Sequence, residues 1–219
     1  MHVVAGVLKN ERGRVLLAER PAGRHLAGSW EFPGGKLEGG ETRLAALERE
    51  LDEEIGISVD AARPLICVRY RYPDREILLD VWVVTRYRGA PVGLDGQRLR
   101  WCDLAALAAE AILPADRPAV TALRLPERLT ALETPIYRIG APIAGPRDRR
   151  PLYGVLCDGL EDARAALGAG ADFVALRPVL SADALSALCA SINLPVFARG
   201  IALAAAWSGG AAGINEIVP

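Results

Sequence analysis

Glu50, Glu53 and Glu54 stand at i, i+3 and i+4 in a segment whose apolar residues recur at helical spacing. On a helix those offsets bring three carboxylates to one side, a few ångströms apart, and each close like-charge pair costs about 0.2–0.5 kcal/mol when exposed. A hard divalent cation removes that penalty by binding oxygen, which makes Mg²⁺ the natural occupant and Mn²⁺ its alternative. Arg49 lies beside the cluster, in reach of Glu41 or another acid, as a group that would fix carboxylate orientation. Three glutamates on a helix are by themselves most often a solvated face. Here the fixed spacing of Gly35, Glu41, Arg49 and Gly56 around them outweighs that reading.

The elements that must position these groups follow from periodicity. From Thr42 the apolar residues Leu44, Leu47, Leu51 and Ile55 predict a helix with one buried stripe, bracketed by Gly39, Gly40 and Gly56. The turn Pro33, Gly34, Gly35 before it would let backbone approach a ligand closely. Residues 3–8 and 14–20 read as two strands joined by a turn at 10–13, and 77–87 as a buried strand rich in β-branched and aromatic residues. Phe32, Leu79 and Trp82 are core candidates first and walls of a binding pocket second.

Residues 35–57 fit the pattern G-x5-E-x7-R-E-U-x-E-E-x-G-U at every fixed position, U being a bulky aliphatic. This run resembles the Nudix box. The resemblance implies hydrolysis of a nucleoside diphosphate linked to a further group, with water attacking phosphorus and divalent metals bridging phosphate oxygens and glutamates. It implies Glu50, Glu53 and Glu54 as metal ligands, Gly35 as a carbonyl ligand, and Arg49 as part of the catalytic machinery. The general base is Glu53 or a residue outside the box.

Over residues 1–126 the likeness extends to the MutT type, which removes 8-oxo-dGTP from the nucleotide pool. It is carried by 25–36 leading into the box, by Pro73, Asp74 and Arg75, by 93–97 with Trp101, and by 114–120. By that resemblance Arg20 is a phosphate or sugar contact, and Asp95 stands where the family has a further glutamate near the metals. His25, Glu31, Phe32, Pro33, Gly34 and Leu79 fall in the substrate-binding set. Asp116 stands where the family uses Asn against the oxidised guanine. Asn offers a donor and an acceptor, whereas ionised Asp only accepts, so it could take guanine's N1 and N2 donors but not serve O6. Asp116 is also an N-cap candidate, preceding an apolar run with Pro118 two residues on.

Composition sets the setting. The chain has 219 residues, 51% of them hydrophobic, with a net charge of −1, so free nucleotides rather than nucleic-acid polymers are expected. The N-terminus enters a strand at once, no signal peptide is evident, and no apolar run reaches the about 18 residues of a membrane span, which makes the cytoplasm the default. Cys67, Cys102, Cys157 and Cys189 are far apart and read as thiols of a reducing compartment. Two histidines without His-x-x-His spacing speak against zinc, and His25 reads as a loop residue.

Beyond Pro126 a second domain is expected: a strand-like start at 134–139, a Gly, Pro and Arg-rich loop at 140–151, strands at Leu152–Cys157, Phe173–Leu176, Val196–Ala198 and 213–217, and helices at Leu160–Gly168 and Ala182–Ser191. Such alternation predicts a parallel sheet. Residues 169–180 and 194–200 are similar to a thiamine-phosphate synthase or TenI-like (β/α)8 barrel. About 85 residues stand where a complete barrel needs at least about 200. The metal ligands and the phosphate-gripping Gly-Gly of the synthase are missing, Arg199, Gly200 and Ile201 standing at the latter, so thiamine phosphate synthesis is not expected.

The fold class expected is therefore α/β: a Nudix α/β/α sandwich with a mixed sheet over 1–128 and a partial (β/α) barrel-like domain over 129–219. Two functions follow for the whole. One is a nucleotide hydrolase with a structural or dimerising appendage, the other a hydrolase regulated by a ligand-sensing or partner-binding module. Within the enzyme class, another NTP or nucleoside diphosphate derivative rivals 8-oxo-dGTP.

Overall fold

The computed structural model describes residues 1–107, 110–126, 128–130, 136–139, 151–198 and 214–218, with side chains for all but 128–130, 136–139 and 214–218. The chain forms two compact units, Met1–Arg117 and Pro118–Pro219, which part ahead of the 128/129 boundary read from the sequence.

The first unit contains β1 (His2–Leu8), β2 (Val15–Glu19), β3 (Trp30–Glu31), β4 (Gly34–Lys36), α1 (Arg43–Ile55), β5 (Ser58–Arg71), β6 (Glu76–Arg88) and β7 (Leu99–Cys102). A mixed sheet has the order β4-β1-β6-β5, with β1 and β6 parallel and the outer pairs antiparallel. A smaller antiparallel sheet has the order β3-β2-β7. Strand alternation divides the larger sheet. Val4, Leu8, Trp82 and Val84 pack with Leu47, Leu51 and Ile55 of α1, and Val3, Ala5, Ile77 and Leu79 line an open cleft.

Helix α1 is set by its ends. The Thr42 hydroxyl accepts from the Ala45 N–H (3.1 Å), and Gly56, at φ 67°, turns its N–H back to the Asp52 and Leu51 carbonyls. Its buried residues are Ala46, Leu47, Leu51 and Ile55. Leu44, expected in the stripe, is 37% exposed although it points along the same side as Leu51 and Ile55, because it lies at the very start of the helix. The Gly34–Gly35 turn expected before the helix is instead strand β4, paired with β1. Strand β5 was not expected. Its alternation is broken by register shifts on either side of Pro64, which the sheet tolerates because β5 is its edge strand.

The second unit holds α2 (Arg117–Arg124), β8 (Arg128–Thr130), β9 (Ile136–Ile139), β10 (Leu152–Cys157), α3 (Leu160–Gly168), β11 (Phe173–Leu176), α4 (Ala182–Ser191), β12 (Val196–Ala198) and β13 (Ile214–Val218). Strands run in the order β8-β13-β12-β11-β10-β9, all parallel except β9. One core joins α3 and α4 to Val174, Leu176 and Val196. A second joins Leu125, Leu152, Phe173 and Phe197, the two rings meeting edge-on at 5.5 Å. The Arg-rich loop at 140–150 and Arg199, Gly200 and Ile201 lie outside the described residues.

Candidate functional site

Helical geometry makes the three glutamates unequal. At 100° per residue Glu50 and Glu54 fall inside the arc that faces the sheet, and Glu53 falls at its edge. Accordingly the Glu53 side chain is 61% exposed while those of Glu50 and Glu54 are largely covered. The Glu54 Oε2 accepts from the Gly34 N–H at 2.7 Å. Burial pushes the Glu54 carboxyl up to about 7, against that hydrogen bond and with help from Glu31, Glu50 and Asp95. The Glu50 carboxylate lies on Gly35, where a Cβ would come within 2.1 Å of its Oε2, so any side chain there would displace the carboxylate.

Arg49 holds the cluster from one side. It donates to Glu41 Oε1 (2.7 Å) and Oε2 (3.0 Å), Glu50 Oε1 (3.0 Å), Glu53 Oε2 (3.1 Å) and the Lys36 carbonyl (3.0 Å). Its hydrogen bonds, with the Glu38 N–H, hold the Glu41 carboxyl down at about 2. Because Glu50 and Glu53 lean toward Arg49 and Glu54 toward Gly34, no three such side chains converge at ligand spacing among the described residues. The loop at 92–97 wraps the end of α1. Leu94 N–H and Gln97 Nε2 both donate to the Glu54 carbonyl at 3.0 Å, and Gln97 Oε1 accepts from the Asp95 N–H, bringing Asp95 close enough to act on the Glu54 carboxyl.

Gly34 also borders the open cleft. Seven of the eight residues expected to bind substrate line it: Arg20, His25, Glu31, Phe32, Gly34, Leu79 and Asp116. Pro33 does not; it is buried and its carbonyl accepts from the Gly6 N–H at 2.8 Å. Arg20 pairs with Glu31 and donates from Nε to the His25 carbonyl at 2.6 Å. Phe32 and Leu79 are both buried and both line the cleft, whereas Trp82 belongs to the α1 core. His25 is exposed, its ring edge-on to Tyr72 at 5.3 Å.

Asp116 ends a 3-10 turn, Pro114–Asp116, and is 3% exposed. Its carboxyl borders the cleft and takes the Phe32 N–H, so the side chain is turned toward the cleft rather than spent on a helix end. Burial raises its pKa well above the ordinary value and Glu31 adds to this, opposed by Arg20 and the Phe32 N–H. The sequence reading missed Tyr72, Arg75, Ile77 and Leu113, which also line the cleft. Arg75 was noted only as part of a turn; an Arg three residues after an aromatic, at the tip of a hairpin, was the available signal.

Residues 4–122 match the NUDIX domain. The chain is 38% identical over 124 residues to an 8-oxo-dGTP diphosphatase of Escherichia coli (strain K12), covering 57% of this chain and 96% of that protein. It is 36% identical over 122 residues to a CTP pyrophosphohydrolase of the same organism, covering 56% and 90%. The solution structure of the E. coli ORF135 protein superimposes with a TM-score of 0.51 at 36% identity, over 55% of this chain and 86% of that one. The box at 35–57, the mixed sheet that carries it and these likenesses agree, and the chain belongs to the Nudix family of hydrolases.

Proposed function

We propose that the protein hydrolyses 8-oxo-dGTP to the monophosphate and pyrophosphate with Mg²⁺, Mn²⁺ being able to substitute, and so clears the nucleotide pool of an oxidised precursor. The observation that carries this reading is the meeting at Gly34 of an acidic helix face and an open cleft lined by a buried carboxyl. The names of several relatives support the substrate; in three of them identity is 38–47% over most of their length.

Hard oxygen donors fit a hard cation. Glu50, Glu53, Glu54 and Asp95, with the Gly35 carbonyl, would hold it, and the like charges of Glu31, Glu50 and Asp95 around Glu54 support a cation there. When bound, the cation supplies polarisation of the phosphate oxygens and activation of water. The chain's own residues do the rest. Arg49 keeps Glu50 and Glu53 aimed, Glu53, the most exposed of the three helix glutamates, takes the proton of the attacking water, and Arg20 meets phosphate or sugar oxygen. Phe32 and Leu79 bound the base and exclude water from it.

The Asp116 carboxyl, held toward its protonated form, presents one donor and one acceptor, as an Asn would. That answers the difficulty of serving both O6 and N1 with a carboxylate. The CTP-hydrolysing relative supports a second reading, a different NTP as preferred substrate. Comparing kcat/KM for 8-oxo-dGTP with those for dGTP and CTP decides between them.

For the remaining chain we keep the division into a catalytic domain over 1–128 and a domain over 129–219, the latter a partial, TenI-like βα fold that serves as a structural or dimerising appendage. Its run of five parallel strands supports the βα part of this reading. A role as sensor or partner-binding module is the alternative, and light scattering of the full chain tests it: a dimer favours assembly, a monomer the sensor. Among the described residues no helix is long and apolar enough to cross a membrane. The four free cysteines support a cytoplasmic setting.

A further inference from the structure

The turn between β5 and β6 forms a lip of the cleft, and its residues are tied to the cleft floor. Tyr72 N–H donates to the Arg75 carbonyl at 2.8 Å, which closes the turn. The Tyr72 ring is buried, its hydroxyl is hydrogen-bonded to the Ala115 backbone beside Asp116, and the Arg75 guanidinium lies over it at 5.6 Å from the ring centre. Arg75 is drawn only loosely toward Asp74, at 3.5 Å. Its Nε is buried and has no hydrogen-bond partner among the described residues. A buried donor without a partner is costly unless something else supplies the acceptor. Arg75 lines the same cleft as the acidic pair Glu31 and Asp116.

We propose that Arg75 is a specificity-determining residue, donating to an exocyclic oxygen of the base that Asp116 does not reach, so that the cleft favours purine nucleoside triphosphates carrying two such oxygens. The inference rests on the proposed base-binding role of the cleft. Guanine bears one exocyclic oxygen, O6, and 8-oxoguanine bears two, O6 and O8. Oxidation also turns N7 from an acceptor into an N–H donor. Two donors of opposite origin, a carboxyl on the floor and a guanidinium at the lip, match the oxidised base, while unoxidised guanine leaves one of them unpaired. Sites that hydrogen-bond a substrate group discriminate strongly against analogues lacking it, because their own polar groups are then left unsatisfied. Tyr72 acts as the positioning residue that holds the guanidinium in place.

The test is kcat/KM of the full chain and of Arg75→Ala and Arg75→Lys on 8-oxo-dGTP, dGTP and 2-deoxyribose 5-triphosphate, which lacks a base. The expected result is that Arg75→Ala lowers the ratio between 8-oxo-dGTP and dGTP at least tenfold, chiefly through KM, with Arg75→Lys restoring part of it. Equal losses on all three substrates would make Arg75 a phosphate contact, and an unchanged ratio would remove it from base recognition; either overturns the proposal. Failure of the underlying reading looks different: the unaltered enzyme itself would show no preference for 8-oxo-dGTP over dGTP. Matching thermal melts of the three proteins exclude misfolding as the source of any loss.

Discussion

The acidic helix face and the cleft share Gly34 but are built in opposite ways. Everything on the first comes from one continuous stretch, Gly35 through Gly56, whose internal spacing alone brings Glu50, Glu53, Glu54 and Arg49 together. The second is gathered from segments far apart in the chain: Arg20 and Glu31, Tyr72 to Leu79, and Leu113 to Asp116. Selectivity encoded by distant segments is free to vary between members, as the diphosphatase and CTP pyrophosphohydrolase relatives at similar identity illustrate.

The comparison breaks most visibly at the helix. Glu53→Gln is expected to lower turnover by about a thousandfold or more on every nucleotide while leaving the circular dichroism unchanged. Near-normal turnover would remove Glu53 from the chemistry. Gly35→Ala comes next. Its added Cβ would lie 2.1 Å from Glu50 Oε2 and must displace that carboxylate, so kcat should fall by roughly ten- to a hundredfold, again whatever the base. A variant with full activity would mean that Glu50 need not lie against the β4 backbone.

Changes in the cleft should be smaller and depend on the base. Asp116→Asn is expected to shift the preference among nucleotides by about tenfold, with less effect on turnover of the preferred one. Unchanged selectivity would confine Asp116 to holding the Phe32 N–H. The smallest effect concerns stability. The folded protein keeps on Asp116 a proton that the unfolded chain gives up near its ordinary value, so this contribution is intact below about pH 4 and is lost as pH rises through the higher folded value. Relative to Asp116→Asn, the unaltered protein should therefore lose urea resistance as pH rises above about 4. A constant difference between the two would show that Asp116 is not held protonated by the fold.

What was legible in the sequence follows the same division. Helix α1, strands β1, β2 and β6, and nearly every βα element of the second unit declare themselves through unbroken periodicity and through caps such as Thr42 and Gly56. Strand β5 did not, because Pro64 and its flanking irregularities erase the alternation at a sheet edge. Leu44 was misplaced because periodicity gives the direction of a stripe but not where the sheet beneath it ends. In the cleft, Asp116 and Phe32 were found through resemblance. Tyr72 and Arg75 acquire meaning only when the β5–β6 hairpin folds back beside Ala115, a closure that no local pattern records.

The central claim, that the acidic helix serves a cleft built for an oxidised purine, is tested most directly by kcat/KM with Mg²⁺ for 8-oxo-dGTP beside dGTP and CTP. A preference for 8-oxo-dGTP of about a hundredfold or more, worth about 2.7 kcal/mol in the transition state, is the predicted result. Equal rates on dGTP, or faster hydrolysis of CTP, would contradict it and leave a Nudix hydrolase whose cleft reads another base.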